Sequence, residues 1–173
     1  MTRYAAFLRG VNVGGVNLKM AEVAKALEEA GFANVRTILA SGNVQLESRS
    51  GVAAVRKKAE EALREAFGYD AWVLAYDIEA VAAISENFPF EREVEGLHSY
   101  VTFVTDTKVL DELAALAKDA GPDEKIKRGN GVIYWQVPKT GTLHSTIGKT
   151  MGKKRYKSST TTRNLRTVEK VLR

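Results

Sequence analysis

Phe7 to Asn17 reads FLRGVNVGGVN, an apolar run that ends in Arg9 and dissolves into three glycines and two asparagines. An arginine fork, backbone amides freed at Gly14 and Gly15, and the side chains of Asn12 and Asn17 are the parts from which anion-binding concavities are built. A second polar cluster, Ser41-Gly42-Asn43, separates two apolar runs. The same residues admit a plainer reading: the glycines turn the chain, Asn17 caps the next helix, and Arg9 pairs with an acid across a domain interface.

Other chemistries fit less well. Ile147 to Thr150, IGKT, shares the end of a phosphate-binding loop, but the preceding glycine is Gly141, out of register for a cradle. His98 and His144 stand far apart with no acid or second histidine at ligand spacing, so no metal site is expected. Ser41 belongs to no G-x-S-x-G elbow, which argues against a serine nucleophile. Glu47 and Asp77 remain candidates for proton transfer, although nothing in their spacing singles them out. The chain has no cysteine, which removes disulfides, thiolate metal sites and cysteine nucleophiles and fits a reducing compartment.

Positioning these residues falls to elements readable from periodicity and punctuation. Tyr4 to Leu8 reads as a strand, and Met20, Val23, Ala24, Leu27 and Ala30 recur at helical spacing up to Gly31. Val35 to Ala40 and Val44 to Ser48 flank Ser41-Gly42-Asn43 as a hairpin, since glycine and asparagine tolerate positive φ. Val52 to Ala66 reads as a helix and Ala71 to Tyr76 as a strand. The first 77 residues therefore read βαββαβ, the ferredoxin-like order, an antiparallel sheet with both helices on one face.

A connecting helix from Ile78 to Phe88, capped by Asp77, leads to a linker at Glu91 to Leu97. Strand SYVTFV, a helix over Val109 to Lys118, strand KIKR, the turn Gly129 to Gly131 and strand VIYWQV then repeat βαββ. A short helix near Leu143 to Lys149 and a last helix from Asn164 to Leu172, capped by Thr161 or Thr162, complete the reading. The fold class is α+β: two tandem ferredoxin-like repeats with antiparallel sheets, over 1–77 and 98–173, joined by 78–97, plus a C-terminal helix.

That topology brings separate motifs to one place. A right-handed crossover makes the first two strands parallel, so the end of the first strand and the hairpin after the second share a sheet edge. The loop after Arg9 then faces Ser41, Gly42 and Asn43, and the first helix begins there, presenting its unpaired N–H groups.

Charge is uneven. Residues 1–137 hold 16 Lys/Arg against 20 Asp/Glu, residues 138–173 hold 10 against one acid, Glu169, and together they make the net +5. A basic, Ser/Thr-rich end reads either as a contact for phosphates or as a solvated tail. The N-terminal apolar stretch is too short for a signal peptide and no run is long enough to span a membrane, so a cytoplasmic protein is expected. In the second half, Tyr100 and Phe103, and Tyr134 and Trp135, alternate between sheet faces. Some of these rings must lie in the core rather than stack on RNA bases.

FLRGVNVGGVNLKM, VRTILASGNVQLES and TTTRNLRTVEKVL together resemble the bacterial family called domain of unknown function 1697 along nearly the whole chain. The resemblance implies tandem ferredoxin-like repeats and assigns no activity. Its motif positions here are Arg9, Gly10, Asn12, Gly14, Gly15, Met20, Ser41, Gly42, Asn43, Thr162, Arg163, Asn164, Thr167 and Lys170. Leu165 stands where the family commonly has an aromatic residue.

Three classes of function follow. The first is a binding module seating a phosphate-bearing small molecule or a nucleic-acid backbone at Arg9, Asn12, Gly14, Gly15, Asn17, Ser41, Gly42 and Asn43. The C-terminal segment would add Arg163 and Asn164 and the cations Lys153, Lys154 and Arg155. The second is an enzyme on a phosphorylated or carboxylated small molecule. The third is an interaction scaffold, in which Arg9 is buried against a carboxylate. No cofactor, metal or membrane partner is implied.

Overall fold

A computed structural model describes residues 1–12, 16–140, 145–151, 153, 156 and 158–173, with the backbone alone for Thr146 and Met151. Contacts divide the chain into two compact units, Met1–Ala82 with Glu169–Arg173, and Ala83–Val168. Each carries a four-stranded antiparallel sheet, and six α-helices lie among the described residues.

In the first unit β1 (Thr2–Leu8), α1 (Met20–Glu29), β2 (Ala33–Ile38), β3 (Asn43–Ser48), α2 (Val52–Phe67) and β4 (Val73–Asp77) follow in order, and the strands lie β2-β3-β1-β4. Alternation along β1 sends Tyr4, Ala6 and Leu8 toward Val23 and Leu27 of α1 and Val55, Ala59 and Leu63 of α2, forming one core. Burying each of the larger aliphatic side chains contributes about 1.5–3 kcal/mol. The opposite face of β1 is also covered, with Ala5 and Phe7 fully buried. Gln45 donates to the Val171 carbonyl at 2.9 Å, so the last residues of the chain pack back on this unit. α2 stops at Gly68, whose φ of +65° suits glycine and whose N–H closes on the Arg64 carbonyl.

The second unit begins within α3 (Ile78–Glu86), continues through β5 (Leu97–Val104), α4 (Thr107–Ala115), a 3-10 turn at Leu116–Asp119, β6 (Lys125–Arg128), β7 (Val132–Pro138), α5 (Thr146–Met151) and β8 (Thr160–Asn164), and ends within α6 (Leu165–Val171) at Val168. Its strands lie β6-β7-β5-β8. Asp106 caps α4 by accepting from the N–H groups of Lys108 and Val109. Leu110 and Leu113 pack on Ile133, Trp135 and Val137.

The main departure from the sequence reading is β8. Thr161 and Thr162, expected as helix caps, are strand residues, with Thr162 facing Thr102 and their hydroxyls 2.8 Å apart. Three consecutive threonines suit a pleated edge, where β-branched side chains pack against neighbours. α6 therefore starts at Leu165, and its cap is Asn164, whose Oδ1 accepts from the Arg166 N–H at 2.9 Å. α1 starts at Met20 with Lys19 at its cap position, so Asn17 does not cap it. Of the helix expected over Leu143 to Lys149, the part from Thr146 onward is helical, and Leu143 and His144 lie outside the described residues.

Burial raises the phenol pKa of Tyr69, Tyr76 and Tyr134, against smaller opposing pulls from Arg56 on Tyr76 and Arg92 on Tyr134. The folded state thus keeps these phenols neutral where the unfolded chain ionises them, from about pH 10 upward. Stability is fully present below that pH and is lost as pH rises through it. Thermal melts should hold level toward pH 9.5 and fall steeply above 10. In Tyr134→Phe the fall should be shallower, at the cost at neutral pH of the bond from its hydroxyl to the Ile84 carbonyl. An unchanged alkaline slope would rule Tyr134 out as a contributor.

Candidate functional site

The end of β1 and the β2–β3 hairpin meet at one sheet edge. β1 and β3 are antiparallel with Phe7 opposite Asn43, and one step further the Leu8 N–H donates to the Gly42 carbonyl at 2.8 Å. Gly42 has φ +86°, and a Cβ built on it would lie 2.8 Å from the Leu8 Cβ. Glycine is required there twice over, by backbone angle and by space. Asn43 is fully buried and donates to the Ile38 carbonyl at 2.8 Å and to Ser41 Oγ at 2.9 Å, closing the turn from within.

Asn12 ties the glycine-rich loop to that hairpin. It holds φ +58°, a conformation asparagine tolerates better than most residues. Its Nδ2 donates to the carbonyls of Leu18 at 3.0 Å and Ala40 at 2.6 Å, and its Oδ1 accepts from the Leu18 N–H at 2.9 Å. Its own N–H donates to the Val16 carbonyl at 2.8 Å, so Asn12 is held through backbone and side chain alike. Gly14 and Gly15, expected to present amides to a ligand, lie outside the described residues.

Arg9 differs from its neighbours. Its N–H donates to the Trp72 carbonyl at 3.0 Å, which pins the backbone. The side chain is half-buried, and its Nε is out of water with no hydrogen-bond partner among the described residues. Burial lowers the guanidinium pKa below its ordinary value, the mark of a cation without a compensating charge. Ion pairs among the described residues include Arg56 with Glu60 and Arg128 with Asp111. The carboxylate partner that the scaffold reading requires is not among them.

The remaining expected site residues divide. Asn17 is exposed and Ser41 is half-buried, with Ser41 Oγ accepting from Asn43. Arg163 and Asn164 belong to the second unit, in β8. Arg163 is buried and donates to Thr161 Oγ1 at 2.8 Å and the Thr162 carbonyl at 2.9 Å, and Asn164 is the α6 cap described above. Lys154, Arg155, Gly141 and His144 lie outside the described residues. Glu47 and Asp77 line an open hollow of about 550 Å³ with Arg3 and Glu79. Arg3 pairs with Glu47 and Tyr4 with Asp77, which puts the hollow at the opposite end of β1 from Arg9. Trp135 is buried in the core with Tyr100 stacked on it, so the ring pair serves packing. Among the described residues no cluster of three or more potential metal ligands occurs, and no helix is long and apolar enough to cross a membrane.

Two residues at the same edge escaped the sequence reading. β4 runs antiparallel to β1 with Leu8 opposite Val73, and continuing that register puts Arg9 opposite Trp72. Arg64, in the last turn of α2, lies over the Trp72 ring at 5.4 Å and donates to the Ala71 carbonyl at 2.9 Å. Its Nε, like that of Arg9, is buried with no hydrogen-bond partner among the described residues. The only signal in the sequence is that Trp72 opens a strand whose antiparallel partner ends at Arg9.

Residues 1–134 match the model of a family described as "Protein of unknown function (DUF1697)". The solved structure of the conserved bacterial protein SP0830 from Streptococcus pneumoniae is similar, with a TM-score of 0.80 and 26% sequence identity over 99% of this chain and 97% of that one. Among curated proteins none matches.

Proposed function

The chain belongs to the DUF1697 family, and we propose that it is a cytoplasmic binding module that seats a phosphate-bearing ligand beside Arg9, where β1 meets the β2–β3 hairpin. The observation that carries this reading is the half-buried Arg9 guanidinium, whose Nε is shielded from solvent with no hydrogen-bond partner among the described residues. A desolvated cation is costly unless it is paired, and a phosphate supplies both the charge and the acceptor oxygens. We read each unit as a ferredoxin-like repeat, supported in the first by its βαββαβ order and its strand arrangement β2-β3-β1-β4. A nucleotide and a nucleic-acid backbone both carry the required group.

Removing Arg9 separates the binding reading from the scaffold reading, since only the first expects lost affinity without lost stability. Arg9→Ala should weaken phosphate-ester binding in titration calorimetry by about 1.5–3 kcal/mol, the worth of a hydrogen bond to a charged group. That corresponds to roughly 10- to 150-fold in Kd. The unliganded variant should melt no lower than the parent, because it loses a buried charge rather than an ion pair. Equal affinities, or a variant strongly destabilised without ligand, would reject the site.

A further inference from the structure

Trp72 is held by two arginines, its carbonyl accepting from the Arg9 N–H and its ring lying beneath the Arg64 guanidinium. Arg9 is hydrogen-bonded through its N–H to the Trp72 carbonyl and lies opposite Trp72 in register, and directly opposed residues of an antiparallel pair hold their Cβ atoms about 5 Å apart. Their side chains leave the strands on the same side. Trp72 is half-buried, and Arg64 lies over its ring while Nη2 of Arg64 is held by the Ala71 carbonyl. A clamped guanidinium on an indole offers two flat, electron-complementary surfaces, the kind on which unstacked bases are bound through aromatic and arginine planes. Glu60, one turn before Arg64 on α2, is already engaged by the Val73 N–H at 2.9 Å and by Arg56. At the hairpin tip Leu39 is exposed and holds φ +59°, an uncommon state for a bulky residue, with its neighbour Ala40 tied to Asn12. That adds an apolar rim to the same edge.

We propose that the ligand is a phosphorylated nucleoside: its phosphate meets Arg9, and its base stacks on the Trp72–Arg64 pair. This rests on the phosphate reading of Arg9 and extends it, since a bare phosphate or sugar phosphate would leave the indole unused. Adjacent anion and ring positions fit a ligand in which one sugar joins the two groups. The base can come from a free nucleotide or from a nucleic-acid strand, which share this chemistry.

Four probes separate the possibilities: adenosine monophosphate, ribose 5-phosphate, inorganic phosphate and a short single-stranded oligonucleotide, each titrated calorimetrically into the full chain, Trp72→Phe and Trp72→Leu. The parent should bind the nucleotide tenfold or more tighter than ribose 5-phosphate. Trp72→Phe, which keeps a ring, should retain most of that gap, and Trp72→Leu should close it. Ribose 5-phosphate binding should survive in both. An oligonucleotide preferred over the mononucleotide identifies a strand as the source, and the reverse identifies a free nucleotide, either result supporting the proposal. Ribose 5-phosphate and nucleotide binding equally to the parent, both through Arg9, would overturn the stacking inference while sparing the phosphate site. A gap that persists in Trp72→Leu would also overturn it. Failure of all four probes to bind at millimolar concentration would overturn both.

Discussion

Asn12→Ala is expected to destabilise the protein by about 3 kcal/mol and lower Tm by roughly 6–12 °C. The substitution removes two donated bonds and one accepted bond, leaving the carbonyls of Leu18 and Ala40 and the N–H of Leu18 to find water or go unpaired. Each net bond is worth about 0.5–1.5 kcal/mol. It also places alanine at φ +58°, where a Cβ costs roughly 1–2 kcal/mol and asparagine is better tolerated. Asn12→Asp should fall between, because its carboxylate still accepts from Leu18 and donates nothing. A thermal melt of the unliganded proteins decides the matter. If Asn12→Ala melted like the parent but lost phosphate affinity, Asn12 would belong to the ligand rather than to the loop.

That prediction marks the boundary between what the sequence reveals and what it hides. The meeting of the Arg9 loop with the Ser41-Gly42-Asn43 hairpin was legible, because apolar alternation defined β1 and β3 and the handedness of the crossover then placed both motifs at one edge. Individual roles were not. Asn12, Gly42 and Asn43 read as ligand groups by residue type, yet the first and third spend their side chains on backbone carbonyls distant in sequence or inside the turn. Such bonds have no signature in spacing. β8 was missed for a related reason: Thr161 and Thr162 are equally good helix caps and strand residues, and only pairing with β5 selects between them. Trp72 acquired meaning from register alone. Subtracting the residues already occupied leaves Arg9 as the motif side chain most suited to an outside partner, which narrows the family resemblance to a specific chemical claim.

Gly42→Ala tests the joint on which that claim stands, and it is expected to cost about 2–5 kcal/mol. Two penalties add. The residue sits at φ +86°, a backbone state that L side chains rarely adopt and that costs roughly 1–2 kcal/mol. The new methyl would also lie 2.8 Å from the Leu8 Cβ and 3.6 Å from the Val11 Cβ. A Cβ cannot swing aside as the end of a long side chain can, so the backbone of β1 must give way. Overpacking of this kind costs about 1–3 kcal/mol. Gly10→Ala supplies the control: Gly10 has a similar φ of +71° but nothing within 4 Å of its added Cβ, so it should pay the backbone penalty alone. The difference between the two variants in chemical denaturation therefore measures the contact between strand end and hairpin. Because Leu8 is bonded to Gly42 and immediately precedes Arg9, relief of the clash displaces the guanidinium as well. Gly42→Ala should accordingly lose phosphate affinity at temperatures where it remains folded, whereas Gly10→Ala should lose less. If both variants were destabilised alike, the loop and hairpin would not be in contact at this glycine, and the Arg9 site would lack the wall proposed for it.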